Sequence, residues 1–133
     1  SVVGMDGTSE LLFTATITNQ LFVVVWHRNH LPVLSASPLV KTGETYSFDF
    51  TTDASQAFGT DALKFLTTGI FGMKGGDANA DGLIDAMDKD FSWLPDAGRS
   101  GYLSTDLDLD GQSDNRDKND LWVPNEGAGS HLT

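Results

Sequence analysis

Apolar and polar residues alternate along two stretches in the first half of the chain, residues 13–18 and 46–50. A period of two places one face of a strand against a core, so each stretch is predicted to be a half-buried β-strand. The run 21–26 is continuously apolar and predicts a central strand, and 31–36 is a shorter candidate. Polar or glycine-containing pairs predict the turns between strands: Asn19–Gln20, Arg28–Asn29 and Thr42–Gly43.

A short helix is predicted from Thr60, as its N-cap, through Leu66, with Gly69 ending it. Four or five strands in roughly 70 residues are few for a free-standing sandwich, which has about seven. The sheet is therefore expected to pack on the rest of the chain, to continue into a preceding domain, or to accept a strand from another copy. Residues 1–5 are a candidate for such an exchanged strand.

The second half of the chain is an internal repeat with a period of 29 residues. The repeat extends past the acidic residues into Lys, Trp, Pro and Gly, which indicates a duplicated structural unit. The composition changes at Gly75–Gly76, and this predicts a β-rich domain at 1–74 and a second domain at 75–133. The first copy contains Asp77, Asp81, Gly82, Asp85, Asp88, Lys89, Trp93, Pro95 and Gly98, and the second contains Asp106, Asp110, Gly111, Asp114, Asp117, Lys118, Trp122, Pro124 and Gly127.

Each copy opens with a twelve-residue segment, loop one at 77–88 and loop two at 106–117. Oxygen-bearing side chains stand at positions 1, 3, 5, 9 and 12 with glycine at 6, which is the spacing of a calcium loop. Two calcium ions are therefore predicted, with position 7 supplying a backbone carbonyl. The predicted ligands are Asp77, Asn79, Asp81, Leu83, Asp85 and Asp88 in loop one, and Asp106, Asp108, Asp110, Gln112, Asp114 and Asp117 in loop two.

Each loop is predicted to lead into a short helix that holds the last ligand, buries a tryptophan and stops at the proline. Ile84 is expected to pair with the partner loop through a β-bridge while its side chain enters the core. Ser113 takes the same place in loop two, which predicts weaker packing and weaker affinity there. Calcium is expected to serve structure, since clustered carboxylates repel one another and ion binding is then coupled to folding.

The overall charge and composition exclude several functions. The formal net charge is −11, so a nucleic acid or an anionic membrane is not an expected partner. The chain has no cysteine and therefore neither disulfides nor thiolate metal sites. No apolar run reaches the length needed to span a bilayer, so membrane insertion is not expected.

The duplicated loop-helix unit, residues 75–127, resembles dockerin modules, whose paired loops also end in Asp. The resemblance implies a cohesin-like partner recognised through loop positions 10 and 11. These positions hold Ala86–Met87 and Asn115–Arg116 instead of the Ser-Thr pair common in cohesin binders. The chain is also similar, across residues 23–36, to a segment near the C-termini of large secreted surface proteins of Bacteroidetes-type bacteria. That similarity implies an extracellular or cell-surface location.

Other groups of residues have two interpretations each. His27 and His30 can ligate a transition metal or form a polar hairpin corner, and the corner is favoured because a third ligand is not evident. An aromatic group can form a sugar platform, although the fixed offset of its tryptophans favours a place in the core. Its members are Trp93, Trp122, Phe91 and Tyr102. Asp49, Asp53 and Asp61 are not paired by any motif, and catalysis is not expected.

The sequence therefore predicts an α+β chain, in which a small antiparallel β-sheet or partial sandwich precedes a pair of EF-hand-type calcium loop-helix units. The expected function is that of a non-catalytic extracellular calcium-binding structural module, within a surface protein or a self-assembling filament. Its partners are then other copies of the chain or other surface proteins. A module that docks a cohesin-like partner is the alternative, and a carbohydrate-binding module is the third possibility.

Overall fold

The computed structural model describes Gly4 and residues 8–132, so most of the segment 1–5 lies outside the described residues. The strands pair with their neighbours in the chain as three antiparallel hairpins. These are β1 (Val24–His27) with β2 (His30–Leu34), β3 (Val40–Thr42) with β4 (Thr45–Ser47), and β5 (Lys64–Thr67) with β6 (Ile70–Gly72). The coarse prediction of small antiparallel sheets and two short helices is confirmed, but the strands form three separate pairs instead of one sheet.

The two helices share an unusual construction. In each, two α-helical residues, 86–87 or 115–116, precede a π-helical segment, and one α-helical turn follows it. The π-helical and following α-helical segments are Asp88–Trp93 with Leu94–Asp96, and Asp117–Trp122 with Val123–Asn125. The prediction that each helix stops at its proline is wrong, since each continues one residue further. A π-turn widens the helix, and the proline, which has no N–H to donate, is the second residue after it. A short 3₁₀ helix, Ala54–Gln56, lies in the β-rich part.

Several predicted elements of the β-rich part differ in the structure. Residues 13–18 form no strand, because no described segment pairs with them. The predicted helix at 60–66 is instead replaced from residue 64 by β5, and Gly69, with φ of 74°, lies in the turn to β6. Gly69 therefore serves a hairpin turn instead of a helix end, and the centres of the Phe65 and Phe71 rings lie 5.6 Å apart across that hairpin.

The strand predictions at 21–26 and 46–50 are correct only in part. The first begins at Val24 instead of residue 21, and the second ends at Ser47. Two of the predicted turns are confirmed, since Arg28–Asn29 joins β1 to β2 and the Thr42–Gly43 break lies at the turn between β3 and β4. Local turn chemistry was therefore a better guide than the alternating pattern.

Strand β2 connects the two hydrophobic clusters. Val33 packs with Ala57 and Leu63 in the cluster of the β-rich part. Leu31, two residues earlier on β2, belongs to the other cluster. The remaining members of that second cluster come from the repeat, and they are Ala78, Ile84, Leu107 and Trp122. Hydrophobic packing therefore crosses the predicted domain boundary at residue 75.

The turn between β1 and β2 fixes the repeat against the hairpin. Asn29 is fully buried, and its side-chain amide donates to the Asp106 carbonyl at 2.7 Å. The Gly76 N–H donates to the Asn29 carbonyl at 3.0 Å, and the Leu31 N–H donates to the Lys74 carbonyl at 2.9 Å. A buried polar group needs such partners, so this turn holds the start of both loops in place.

Candidate metal centre

The carboxylate at position 12 organises each loop from the first turn of its helix. Asp88 is buried, and it accepts hydrogen bonds from the Asn79 N–H at 3.1 Å and the Asp85 N–H at 2.8 Å. Backbone groups at positions 3 and 9 are thereby joined to the last ligand. In loop two the buried Asp117 accepts the equivalent bonds from Asp108 (3.0 Å) and Asp114 (2.7 Å), and a third from Leu107 (2.6 Å).

The carboxylate at position 1 holds the tight turn at position 6. Asp77 accepts from the Asp81 N–H at 3.0 Å and the Gly82 N–H at 3.1 Å. Asp106 accepts from the Gly111 N–H at 3.2 Å. The two glycines have φ of 87° and 90°, a left-handed conformation that residues with a Cβ rarely adopt. The glycine that the sequence pattern required therefore lies where a side chain would be strained.

Positions 3, 5 and 9 use one side-chain oxygen each to shape the backbone. The Oδ1 atom of Asp81 accepts from the Leu83 N–H at 2.9 Å, and that of Asp110 accepts from the Gln112 N–H at 3.0 Å. Leu83 and Gln112, the predicted carbonyl ligands, lie in isolated β-bridges. The other bonds of this kind are Asp81 N–H to Asn79, Asp110 N–H to Asp108, Met87 N–H to Asp85 and Arg116 N–H to Asp114.

Loop two brings three of its predicted ligands into one cluster. Asp106, Asp108 and Asp117 have carboxylate oxygens within 4.8 Å of one another. Asp106 is only 3% exposed, and its Oδ1 atom has no hydrogen-bond partner in the described part of the chain. A buried carboxylate oxygen without a partner is costly, and a hard cation that prefers oxygen ligands fits both the atom and its neighbours.

Burial disfavours the charged form of several loop carboxylates. Desolvation raises the pKa of Asp77 and of Asp88, with a further increase from neighbouring carboxylates. Desolvation likewise raises the pKa of Asp108, and Asp117 and Asp110 add to this effect. Backbone N–H groups oppose these shifts without cancelling them. A bound cation would stabilise the charged forms, so the electrostatics of both loops favour cation binding.

The two units contact each other reciprocally through their tryptophans and lysines. The Trp93 indole N–H donates to the Asp114 carbonyl at 2.9 Å, and the Trp122 indole donates to the Asp85 carbonyl at the same distance. The Lys118 ammonium lies 4.7 Å from the centre of the Trp93 ring. The corresponding distance from Lys89 to Trp122 is 5.1 Å. Each helix therefore supports the loop of the other unit.

The predicted bridge between Ile84 and the partner loop is not the one that forms. The Ile84 N–H donates to the Ala128 carbonyl, and the Ser113 N–H donates to the Arg99 carbonyl, each at 2.8 Å. Each loop thus pairs with the segment that follows the other helix. In the segment after the second helix, the Gly127 N–H also donates to the Ile84 carbonyl at 2.8 Å. The Ile84 side chain is fully buried, as expected.

Two arginines contact loop two, and none of their ion pairs was predicted from the sequence. Arg28 lies 3.4 Å from Asp106, and its guanidinium stacks 4.0 Å from the centre of the Tyr102 ring. Arg116 contacts Asp108 at 3.3 Å and Asp110 at 3.2 Å. The position of Arg116 within the loop could have predicted its contacts, whereas Arg28 is too far from loop two in the chain for a local pattern to predict its contact.

The two histidines form a hairpin corner. The Nδ1 atoms of His27 and His30 are 3.0 Å apart, and the His30 Nδ1 also lies 2.8 Å from the Asn29 Oδ1. Burial lowers the pKa of His30 to about 4, with help from His27 and Arg28. Within residues 8–132, no third histidine or carboxylate joins them in a metal-binding group.

The remaining candidate groups are separated by the fold. Trp122 is buried and Trp93 is half-buried, whereas Phe91 and Tyr102 are exposed. Asp49 accepts a hydrogen bond from Thr51, and Asp53 accepts one from Ser55. Asp61 forms an ion pair with Lys74, so each of the three carboxylates has its own separate partner.

No family model, curated protein or solved structure matches the chain. Among the described residues, the helices are too short and too polar to cross a bilayer.

Proposed function

We propose that the chain is a non-catalytic, extracellular structural module that binds two calcium ions, one in each loop. Loop one would hold its ion with Asp77, Asn79, Asp81, Leu83, Asp85 and Asp88, and loop two with the equivalent residues one repeat later. The repeat would then be a dockerin-like unit whose ions serve folding. The module would belong to a surface protein or to an assembly of identical chains.

The observation that carries this proposal is the buried, unpartnered Oδ1 atom of Asp106 within a cluster of three carboxylates. A solvated acidic linker has no reason to bury such an atom. The same loop architecture recurs 29 residues earlier with an equivalent set of side-chain to backbone bonds. Both loops also contact the opposite unit, so an ion in either loop would stabilise the whole repeat.

Isothermal titration calorimetry of the metal-stripped chain with calcium tests the proposal. The wild-type chain is expected to bind two ions, and Asp81→Ala and Asp110→Ala are each expected to bind one. Asp90→Ala changes a carboxylate outside both loops and is the matched control with two ions. Heat no greater than that of dilution for the wild-type chain refutes the proposal.

One exposed surface favours the docking alternative. Met87, Phe91 and Leu94 lie on one face of the first helix and are 48%, 72% and 61% exposed. The same face of the second helix carries Arg116, Asp120 and Val123, so only the first helix presents a continuous apolar stripe. Such a stripe is typical of a protein-binding surface.

The docking alternative predicts that a calcium-loaded chain retains one stoichiometric protein from surface extracts, and that Phe91→Asp abolishes retention. Asp120→Ala, on the equivalent face of the second helix, is the control. Assembly of identical chains, which is one form of the leading proposal, predicts instead a mass that rises with concentration in light scattering. Apolar residues exposed outside the repeat support assembly, among them Leu12 at 97%.

A further inference from the structure

The two loops differ in their internal counter-ions. In loop two, the Arg116 guanidinium contacts Asp108 Oδ2 at 3.3 Å and Asp110 Oδ2 at 3.2 Å, and Arg28 contacts Asp106 Oδ2 at 3.4 Å. Positions 1, 3 and 5 of loop two thus each have a cationic partner. Across the described residues, no lysine or arginine forms an ion pair with a carboxylate of loop one.

Arg116 occupies the oxygens that a metal ion would need. The Oδ1 atoms of Asp108 and Asp110 already accept backbone N–H groups of the loop. Their Oδ2 atoms remain for a cation, and these are the atoms that Arg116 contacts. In loop one, the corresponding Oδ2 atom of Asp81 accepts only from the neutral Asn79 amide at 2.9 Å.

The two arginines of loop two are held differently. Arg28 is mostly buried, and its Nε donates to the Leu103 carbonyl at 3.2 Å while its guanidinium stacks on Tyr102. It contacts Oδ2 of Asp106 and leaves Oδ1 of that residue without a partner. The Arg116 side chain is 65% exposed, so it can rotate into water without breaking a packed contact. Arg116 is therefore the displaceable cation.

Resting on the proposed function, we infer that Arg116 competes with the divalent cation for loop two, so that loop one fills first. Loop one carries four carboxylates without a cationic partner. Loop two carries five carboxylates, and the two arginines reduce its net charge to three negative charges. Filling of loop two then releases Arg116 from two carboxylates, which makes position 11 of this loop sensitive to calcium concentration.

A calcium titration of the ¹⁵N-labelled full chain, followed by NMR, tests this inference site by site. The Gly82 and Gly111 amides donate to the first ligand of loop one and loop two, so each reports on its own loop. In the wild-type chain, the Gly82 signal is expected to saturate before the Gly111 signal. Arg116→Met installs the residue that loop one has at this position. It is expected to lower the Gly111 midpoint about 3- to 10-fold, the range for two exposed ion pairs, and to leave Gly82 unchanged.

Two further variants separate direct competition from the general effect of charge. Lys41→Met removes one positive charge from β3, outside the repeat, and is expected to leave both midpoints unchanged. Met87→Arg places an arginine at position 11 of loop one and is expected to raise the Gly82 midpoint. An unchanged Gly111 midpoint in Arg116→Met, or an equal shift in Lys41→Met, overturns the inference. Equal wild-type midpoints overturn it while leaving the proposed function intact, whereas the absence of any calcium response overturns both.

Discussion

The β-rich part and the repeat are stabilised in different ways. In the repeat, almost every structural contact is duplicated 29 residues later, from the carboxylate at position 12 to the indole that supports the opposite loop. In the β-rich part, three hairpins stand as separate pairs, and large apolar side chains such as Phe13 and Phe65 remain exposed. The repeat is thus specified by short-range bonds and two-fold reciprocity, whereas the β-rich part depends on what packs against it.

The turn at Arg28–Asn29 connects the two parts. This turn belongs to the β-rich part by sequence, but its side chains contact the start of loop two. Leu31 continues the connection, since it packs in the same cluster as Ile84 and Trp122. The two parts are therefore expected to unfold together.

The largest expected effect is that of metal removal. A chelator is expected to lower the melting temperature by roughly 10 °C or more, because two sites near saturation each contribute about 3–4 kcal/mol. Scanning calorimetry should show one transition that moves as a whole, since the core is shared. A second transition at an unchanged temperature would show that the β-rich part folds independently, and an unchanged melting curve would contradict a structural role for the ions.

The next largest effect is expected from Asn29→Ala. This change leaves the buried Asp106 carbonyl without its donor and is expected to cost about 2–3 kcal/mol of unfolding free energy, measured by urea denaturation with calcium present. Asn19→Ala, in an exposed turn, is the control and is expected to change stability by less than about 0.5 kcal/mol. Equal effects of the two changes would mean that the hairpin turn does not join the two parts.

Substitution of the two tryptophans tests whether the two units of the repeat contribute equally to the free energy of unfolding. Trp122→Phe is expected to cost about 2 kcal/mol, since it removes a buried indole and its bond to the Asp85 carbonyl. Trp93→Phe removes the equivalent bond from a half-buried position and is expected to cost about 1 kcal/mol. Urea denaturation of both variants provides the comparison. A larger cost for Trp93→Phe than for Trp122→Phe would contradict the conclusion that Trp122 is the tryptophan in the hydrophobic core.

A comparably small effect concerns pH and the histidine corner. The His30 pKa is about 4 in the folded chain, below the ordinary value of 6.5, because burial outweighs all other effects. The folded state therefore binds fewer protons, and stability is complete above pH 6.5 and falls as the pH drops toward 4. The other titratable groups beside His30 are His27, Lys64 and Asp120 in one surface groove, and Asp77 and Asp81 in a second. Between pH 7.5 and 5, His30 is expected to account for about 1–2 kcal/mol of lost stability.

Denaturation of His30→Asn across the same pH range, with saturating calcium, checks this expectation. The variant should lose less stability on acidification than the wild-type chain. His131→Gln is the control, because His131 is exposed and its ring contacts the Thr60 carbonyl instead of the histidine pair. An unchanged pH dependence in His30→Asn would show that other groups dominate.

The sequence predicted much of the candidate site, because its determinants are short-range. Within twelve residues, Asp77 reaches the Gly82 N–H and Asp88 reaches the Asp85 N–H, so spacing alone predicts the loop. The repeat was also visible, since both copies carry the same Trp and Pro offsets. The contact of Arg28 with Asp106 was not visible, because these residues are 78 positions apart in the chain.

The sequence by itself determined the two loops, their glycine turns and the duplication that relates them, since these depend on bonds between near neighbours. Only the tertiary structure decided which strands find partners, that residues 64–67 form a strand instead of a helix, and that each loop pairs with the segment after the opposite helix. Backbone pairing and burial depend on distant segments, and a local pattern of residues does not specify which segment will be the partner.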